Sequence, residues 1–444
     1  MDFQLAIIFF LAYIAIVVII GLVSSRKESE EDFMIADRKV QGFQVAATMS
    51  AGLFDGATLS IYLAYVYQYG FSAVWLFVGI ALGFFLLRKY ASRIKEKADS
   101  LGVYSMPEYF FKLFGKRNGL MFSLFIVIAF FLLLIVNLII SGKVLSAIFP
   151  IPYYIAVIIG GVIVLTYLLL AGFKAVVRTD FFQLIIMFVM TLSVGIFLFG
   201  KTPIPVAEFN LGTLGIGNTL GFLILAGFGM MVAPDLWQRI FATKDGANLK
   251  RGLNYAAIML LILGVVISVV GLVTKQFFPG ILPEDALVTG FSNLLPIGLK
   301  ELGMVFLYAV TLSSSDTVTF VVSSIITRDI KNYTRRYSNE SMRKLTRFFM
   351  VFFVALAIII GLTYQDILAL GFSMAGLNLA LFPVVFGSLY WKLKQGAVFW
   401  SLVLGFLSVV VLFIGGQLNP QTAIISLPVV LLSLVIFQKI FKKV

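Results

Sequence analysis

Apolar runs of about 20 residues follow one another along nearly the whole chain, and each is long enough to cross a hydrocarbon layer of roughly 30 Å as an α-helix. The chain is 61% hydrophobic and 12% charged, too apolar for the surface of a soluble protein of 444 residues. Segments of about ten residues with alternating polarity, typical of a membrane β-barrel, do not appear. The sequence therefore predicts an all-α polytopic membrane protein.

About thirteen transmembrane spans can be delimited. They lie approximately at 4–23, 43–70, 72–90, 119–148, 152–172, 180–200, 214–242, 252–278, 298–327, 344–363, 366–390, 395–415 and 422–440. No basic segment precedes the first span, and Arg26 and Lys27 follow it, so we expect an uncleaved helix and not a signal peptide.

The basic residues are distributed asymmetrically. With the N-terminus placed outside, 30 of the 34 Lys and Arg residues fall in inside segments. Outside segments hold only Lys201, Lys275 and Lys300, and Lys143 lies within a span. Basic residues concentrate on the cytoplasmic side of membrane proteins. We therefore expect a multi-pass protein of the cell membrane with a cytoplasmic C-terminus. The net charge of +13 then reflects topology, and no nucleic acid partner is expected.

The chain contains neither cysteine nor histidine. This composition excludes disulfides, thiol chemistry, haem attachment and most zinc sites. It also removes the side chain best suited to moving protons near neutral pH. No soluble domain is evident, and nothing indicates an obligatory protein partner.

The spans from 43 to 393 form two blocks of five. Because each block crosses the membrane an odd number of times, the second block enters from the opposite face of the membrane. Two such blocks are typical of an inverted repeat. The predicted divisions are an additional N-terminal helix and loop, the first repeat, the second repeat and two C-terminal helices, at 1–42, 43–212, 213–393 and 394–444.

Both blocks open with a span interrupted near its middle. The interruptions are Ser50-Ala51-Gly52-Leu53-Phe54-Asp55-Gly56 in the first, and Gly227-Phe228-Gly229 followed by Pro234 in the second. Glycines also serve as packing surfaces between membrane helices. Breaks at corresponding positions nevertheless favour a binding site near the bilayer midplane.

Asp55 lies in the first break, flanked by glycine. A carboxylate at that depth costs a few kcal/mol unless a partner compensates it. A structural ion pair is one explanation, and Lys143 is the one base that matches it in depth. Contact with a solute or a cation is the other. Asn137 and Ser141 lie one turn apart on the span at 119–148 and face either a solute or a neighbouring helix.

Hydroxyls and a carboxylate interrupt the apolar span at 298–327 as Ser313-Ser314-Ser315-Asp316-Thr317. A single serine in a membrane helix usually bonds to a carbonyl of the preceding turn. That explanation does not account for the whole group. Hard cations prefer oxygen ligands, which these side chains and the free carbonyls of a broken helix supply. The pattern predicts a sodium site.

Two further polar groups have competing interpretations. Asp180 follows Arg178-Thr179 at the start of a span, where it is either a helix N-cap or a cation ligand. Trp237 and Arg239 end the span at 214–242 and are predicted to be interfacial anchors, with Asp235 paired to a nearby base.

Together these motifs resemble the sodium:solute symporter family, which includes sodium/proline, sodium/glucose, sodium/sialic acid and sodium/pantothenate carriers. The similar segments are Tyr167-Leu168-Leu169-Leu170-Ala171-Gly172-Phe173-Lys174-Ala175-Val176-Val177-Arg178-Thr179-Asp180-Phe181-Phe182-Gln183, Ser313-Ser314-Ser315-Asp316-Thr317 with Thr327-Arg328-Asp329, Pro107-Glu108-Tyr109-Phe110, and Gln238-Arg239. Each motif is weak alone, but their order and spacing are specific.

The resemblance implies a leucine-transporter-like fold of five-plus-five inverted repeats. It also implies one sodium ion held by the carbonyls of Thr48, Ala51 and Val310 and the hydroxyls of Ser313 and Ser314. A second sodium region would involve Asp180, Asp316 and Thr317. The residues that the resemblance and the breaks place around the solute are Phe54, Asp55, Asn137, Gly227 and Phe228. In sialic acid carriers an arginine binds the carboxylate of the solute, and this sequence has no evident counterpart of that arginine. The resemblance therefore disfavours an acidic sugar as the solute.

We therefore expect a secondary transporter that couples inward sodium movement to uptake of a small polar solute, with proline or another small amino acid as the first candidate. A proton-coupled carrier of the same fold is the alternative. A transporter-like sensor and a membrane-embedded enzyme are the alternatives of another class, although the chain offers no histidine or cysteine for an enzyme site.

Overall fold

The computed structural model describes residues 2–24, 38–169, 173–334 and 339–441. Part of the motif at 167–183 and the predicted loop with Arg26 and Lys27 lie outside these ranges. Within them the regular structure is helical, with one isolated β-bridge between Val40 and Thr243. The main helices are α1 (Phe3–Ser24), α2 (Gly42–Leu53), α3 (Gly56–Tyr69), α4 (Trp75–Leu101), α5 (Met106–Ile148), α6 (Tyr153–Leu168), α7 (Phe173–Lys201), α8 (Ile216–Gly229), α9 (Pro234–Ala242), α10 (Gly246–Phe277), α11 (Ala286–Asn293), α12 (Leu299–Thr334), α13 (Asn339–Thr363), α14 (Ile367–Tyr390), α15 (Gln395–Ile414), α16 (Pro420–Ala423) and α17 (Ser426–Ile440).

The helices match the predicted spans. Eleven stretches in the described ranges are long and apolar enough to cross a membrane, and Tyr153–Thr166 is a shorter apolar helix. The stretch Gly56–Leu101 contains parts of two predicted spans, those at 43–70 and 72–90. Every predicted span therefore has a helical counterpart.

Helix boundaries follow local chemistry. Asp245 and Asp366 cap α10 and α14 by accepting hydrogen bonds from the backbone N–H groups of Asn248 and Ala369, each at 2.8 Å. The long α5 bends at Gly115, whose φ of 78° lies in the left-handed region that favours glycine. These signals begin or bend helices outside the long apolar runs.

Helix α12 is the centre of the molecule. Its residues 303–325 are all buried, whereas α1 is mostly exposed at the periphery. Helix α12 packs against α5 and α7 and also against α2 and α3, the two halves of the interrupted span. This packing places the hydroxyls of α12 beside the break.

Candidate functional site

The first predicted break is present and is formed around Asp55. Helix α2 ends at Leu53 and α3 begins at Gly56, with Asp55 as its N-cap. The Asp55 carboxylate accepts a hydrogen bond from the Thr58 backbone N–H at 2.6 Å and one from Asn137 Nδ2 at 3.4 Å. The Phe54 N–H still bonds to the carbonyl of Ser50, but the carbonyls after Ser50 lack the partners that a further helical turn would supply.

The second break separates α8, which ends at Gly229, from α9, which begins at Pro234. The indole N–H of Trp237 donates to the carbonyl of Met231 within the break, at 2.8 Å. Both predicted breaks are therefore confirmed, and they lie on either side of one cavity.

The cavity has a volume of about 150 Å³. Asp55 and Asp235 lie in its wall with Asn378, and Phe222 and Phe372 belong to its apolar surface. Among the residues that the structure describes, no Lys or Arg lines it. A largely apolar chamber with a few polar groups is typical of a small-molecule site.

The predicted solute residues occupy two layers. Asp55 lines the cavity, and Asn137 lies behind it as its hydrogen-bond partner. Phe54 is buried against Phe77, with ring centroids 6.1 Å apart. Phe228 stacks on Phe382 at 4.3 Å. The lining side chain of Asn378 is one that sequence reasoning missed, and its Oδ1 atom is buried without a hydrogen-bond partner in the described part of the chain.

The hydroxyls of α12 differ in their partners. Ser313 Oγ donates to Asp180 at 2.9 Å, and Ser315 Oγ donates to the carbonyl of Thr311 at 2.7 Å. Ser314 Oγ is buried and has no hydrogen-bond partner among the described residues, although Ser314 borders the cavity. An unpaired buried hydroxyl is costly unless something absent from the protein chain satisfies it.

Asp180 is not a helix cap, because α7 begins seven residues earlier, at Phe173. Its carboxylate accepts hydrogen bonds from Thr48 Oγ1 at 2.5 Å and from Ser313, and it forms an ion pair with Arg239 Nη2 at 3.1 Å. The side chains of Asp180 and Arg239 are 0% and 1% exposed. Asp180 is therefore paired with a guanidinium of the protein itself, and its predicted role as a sodium ligand stays a prediction.

The prediction that Arg239 and Trp237 are interfacial anchors is wrong, since both side chains are fully buried. Position along a straight helix would place them near the cytoplasmic surface, but the break before Pro234 redirects α9 into the protein. The predicted pairing of Asp235 with a nearby base is confirmed, with Arg239 Nη1 at 3.2 Å.

Lys143 does not pair with Asp55. Its ammonium contacts Asp285 at 2.7 Å, in the segment between α10 and α11. Asp55 is only 2% exposed, and none of its hydrogen bonds comes from a basic side chain in the described ranges. A carboxylate this deep is costly unless a partner compensates its charge.

The close approach of α3 to α12 predicts a stability effect at Gly56. A Cβ at this position would lie 2.4 Å from Thr311 Cγ2 and 3.0 Å from Asn137 Oδ1. We expect Gly56→Ala to destabilise the protein by ~1–3 kcal/mol, because overpacking forces the helices apart. Thermal unfolding followed by the fluorescence of the four tryptophans measures the change.

Gly200→Ala is the matched control, since a Cβ there meets no atom within 4 Å. Its unfolding temperature should be no lower than that of the wild type, because alanine is the better helix former. Equal unfolding temperatures for Gly56→Ala and Gly200→Ala would contradict the tight packing at Gly56.

In the described ranges, a chamber between two broken helices in a bundle of membrane-length helices is typical of secondary transporters. The chain belongs to the Sodium:solute symporter family, whose profile matches residues 33–207 and 214–405. It is 25% identical over 409 residues to the osmoregulated proline transporter OpuE of Bacillus subtilis (strain 168), covering 86% of this chain and 82% of that relative. It is 24% identical over 434 residues to the sodium/proline symporter of Staphylococcus aureus (strain Newman), covering 90% and 84%.

Solved structures confirm the fold. A Na+-coupled sialic acid symporter in a substrate-bound outward-open state superimposes with a TM-score of 0.86 at 18% identity, covering 99% of both chains. A nucleobase-cation-symport-1 family transporter gives a TM-score of 0.59 at 13% identity, covering 94% of this chain and 97% of that one. The fold is therefore leucine-transporter-like, and the chain is a sodium-coupled solute transporter and not an enzyme.

Proposed function

We propose that sodium binds where the end of α2 meets α12, held by the carbonyls of Thr48, Ala51 and Val310 and the hydroxyls of Ser313 and Ser314. The observation that carries this proposal is the buried Ser314 hydroxyl, which has no partner among the described residues. Ser313 donates its proton to Asp180 and so keeps its oxygen lone pairs for a cation. The donor set contains only oxygen, which suits sodium and offers nothing to softer metals.

Sodium at this place would tie α2 to α12 and hold the cavity in one shape. If sodium binds one of two conformations more tightly, it shifts the conformational equilibrium towards that conformation. A solute that prefers the same conformation then binds more tightly when sodium is present. Release of sodium into the cytoplasm then weakens the solute site. The proposed orientation has the N-terminus outside and the repeats at 43–212 and 213–393, in the cell membrane.

The solute that we favour is a small amino acid, with proline as the first candidate. Asp55 provides a counter-charge for an ammonium group inside a largely apolar chamber. The absence of Lys and Arg from the described lining disfavours acidic sugars. The proline transporters among the relatives support the same choice.

Thermal unfolding in detergent tests the solute class. We expect proline to raise the unfolding temperature in sodium chloride and not in choline chloride, because sodium preorganises the cavity. Sialic acid serves as the acidic comparison and should leave the temperature unchanged in both salts. Stabilisation by sialic acid and not by proline would contradict the proposed amino acid class.

A further inference from the structure

Helix α1 precedes the first broken helix and is attached to the bundle along one face. It contacts α6, α7 and α12. Its buried side chains recur at helical spacing and are Ala6, Phe10, Tyr13 and Val17. The opposite face is apolar and exposed, as suits a helix at the lipid boundary. Helix α1 therefore touches both α7 and α12, the two helices that the hydrogen bond between Ser313 and Asp180 joins.

The polar atom on the buried face of α1 is the hydroxyl of Tyr13. Gln183 of α7 donates to it from Nε2 at 2.7 Å, and both side chains are buried. The Gln183 Oε1 atom has no hydrogen-bond partner in the described part of the chain, so Tyr13 is the residue that orients this amide. A hydrogen bond is directional, and it fixes one helix against another more closely than apolar packing does.

Gln183 lies three residues after Asp180 on α7, so the two side chains share a face of that helix. Asp180 accepts a hydrogen bond from Ser313 of α12 at 2.9 Å. The same short stretch of α7 is thus held twice, by Tyr13 from α1 and by Ser313 from α12.

Helix α1 is also fixed to α12. The ring of Phe10 packs on the ring of Tyr308 with centroids 5.0 Å apart, and Tyr308 lies two residues before Val310. Where both helices begin, the buried carboxylate of Glu301 accepts a hydrogen bond from the Asp2 backbone N–H at 2.7 Å. Helix α1 cannot slide along α12 without breaking these contacts, so it gives α7 a fixed support.

We propose that α1 is a clamp that holds α7 against α12, and that Tyr13 is a positioning residue for sodium binding. This inference rests on the proposed sodium site between α2 and α12. Without the bond from Gln183 to Tyr13, α7 is free to shift relative to α12, and Asp180 no longer holds Ser313 in place. The fraction of molecules with a complete site then falls, and the apparent dissociation constant for sodium rises by the inverse of that fraction.

Equilibrium binding of ²²Na to the purified full-length protein tests the proposal, with choline chloride keeping the ionic strength constant. Tyr13→Phe removes the hydroxyl and keeps the ring, so the packing of α1 is preserved. We expect the apparent dissociation constant for sodium to rise about fivefold, the change that corresponds to one lost hydrogen bond. A side chain that only stabilises the fold would lower the unfolding temperature and leave this constant unchanged. Wild-type sodium affinity in folded Tyr13→Phe therefore overturns the proposal.

Gln183→Met removes the same hydrogen bond from the side of α7 and should give a similar rise. It also takes the place of Tyr13→Phe if that variant does not fold. Because both substitutions break one bond, the double variant should bind sodium within about twofold of Gln183→Met alone. Effects that multiply to about 25-fold would show that Tyr13 does not act through Gln183, and they would overturn the proposal.

Tyr153→Phe is the matched control. The Tyr153 hydroxyl donates to the carbonyl of Gly361 at 3.1 Å and so joins α6 to α13, two helices other than α7 and α12. Its loss should leave the dissociation constant for sodium within about twofold of the wild-type value. A rise equal to that of Tyr13→Phe would mean that any lost tyrosine hydroxyl weakens sodium binding, and the specific role of Tyr13 would be refuted.

Ser314→Ala tests the sodium site itself in the same assay. Weaker binding in Ser314→Ala together with wild-type binding in Tyr13→Phe would leave the site in place and overturn the clamp. Unchanged binding in Ser314→Ala would remove the proposed site and, with it, the role of Tyr13.

Discussion

Replacing Asp55 with asparagine is expected to lower solute uptake at least about 100-fold, equivalent to ~2.7 kcal/mol. The carboxylate is buried in the cavity wall with no basic partner in the described ranges, so its charge is available to a bound cation or ammonium group. Attraction between charges is strong at low local dielectric, and the neutral amide forfeits it. Initial rates of uptake into proteoliposomes measure the loss.

The fold should survive this change. Asparagine is about as good an N-cap as aspartate, so the hydrogen bond to the Thr58 N–H persists. Asp366→Asn is the matched control, because Asp366 caps α14 in the same way but lies outside the cavity lining. It should transport at the wild-type rate within about twofold, a difference of ~0.4 kcal/mol. Wild-type kinetics in Asp55→Asn would show that Asp55 is only a helix cap.

Ser314→Ala should raise the sodium concentration for half-maximal uptake about tenfold, equivalent to ~1.4 kcal/mol. The substitution removes one oxygen from the proposed sodium site and leaves no hydrogen bond broken, since Ser314 Oγ has no partner among the described residues. Its stability in the absence of sodium should therefore match or exceed that of the wild type. Sodium titrations of uptake at fixed solute concentration measure the shift.

The adjacent Ser315 provides the control. Its hydroxyl is already bonded to the carbonyl of Thr311, one turn back on α12. Ser315→Ala should therefore leave the sodium dependence unchanged, although the deleted atom and the helix are the same. Equal sodium dependence in Ser314→Ala and Ser315→Ala would remove Ser314 from the site.

Sequence reasoning was sufficient for the architecture, because the bilayer imposes length and polarity on every span. The break at Asp55 was also evident, since a carboxylate near two glycines interrupts the apolar run at a position that corresponds to the second break. The break before Pro234 was evident as well, because proline lacks the backbone N–H that a continuous helix needs. Local chemistry determined these features, so local sequence revealed them.

The partners of the buried charges were not evident. Arg239 follows a long apolar span and so resembled an interfacial anchor, but α9 turns inward after the break and buries it. Asp180 lies 59 residues from Arg239 in sequence, and only the packing of α7 against the bundle brings them to 3.1 Å. Where a helix is broken, the position of a residue along the sequence does not predict how deeply its side chain is buried.

Ion-selective uptake into proteoliposomes tests the central claim most directly. The substrate is the solute that gives the largest sodium-dependent thermal stabilisation, and a protonophore removes any proton gradient. We predict accumulation driven by an inward sodium gradient, lost when choline replaces sodium, with half-maximal sodium concentration raised about tenfold in Ser314→Ala, or ~1.4 kcal/mol. Accumulation that a proton gradient drives without sodium, at the same rate in the wild type and in Ser314→Ala, would contradict the account.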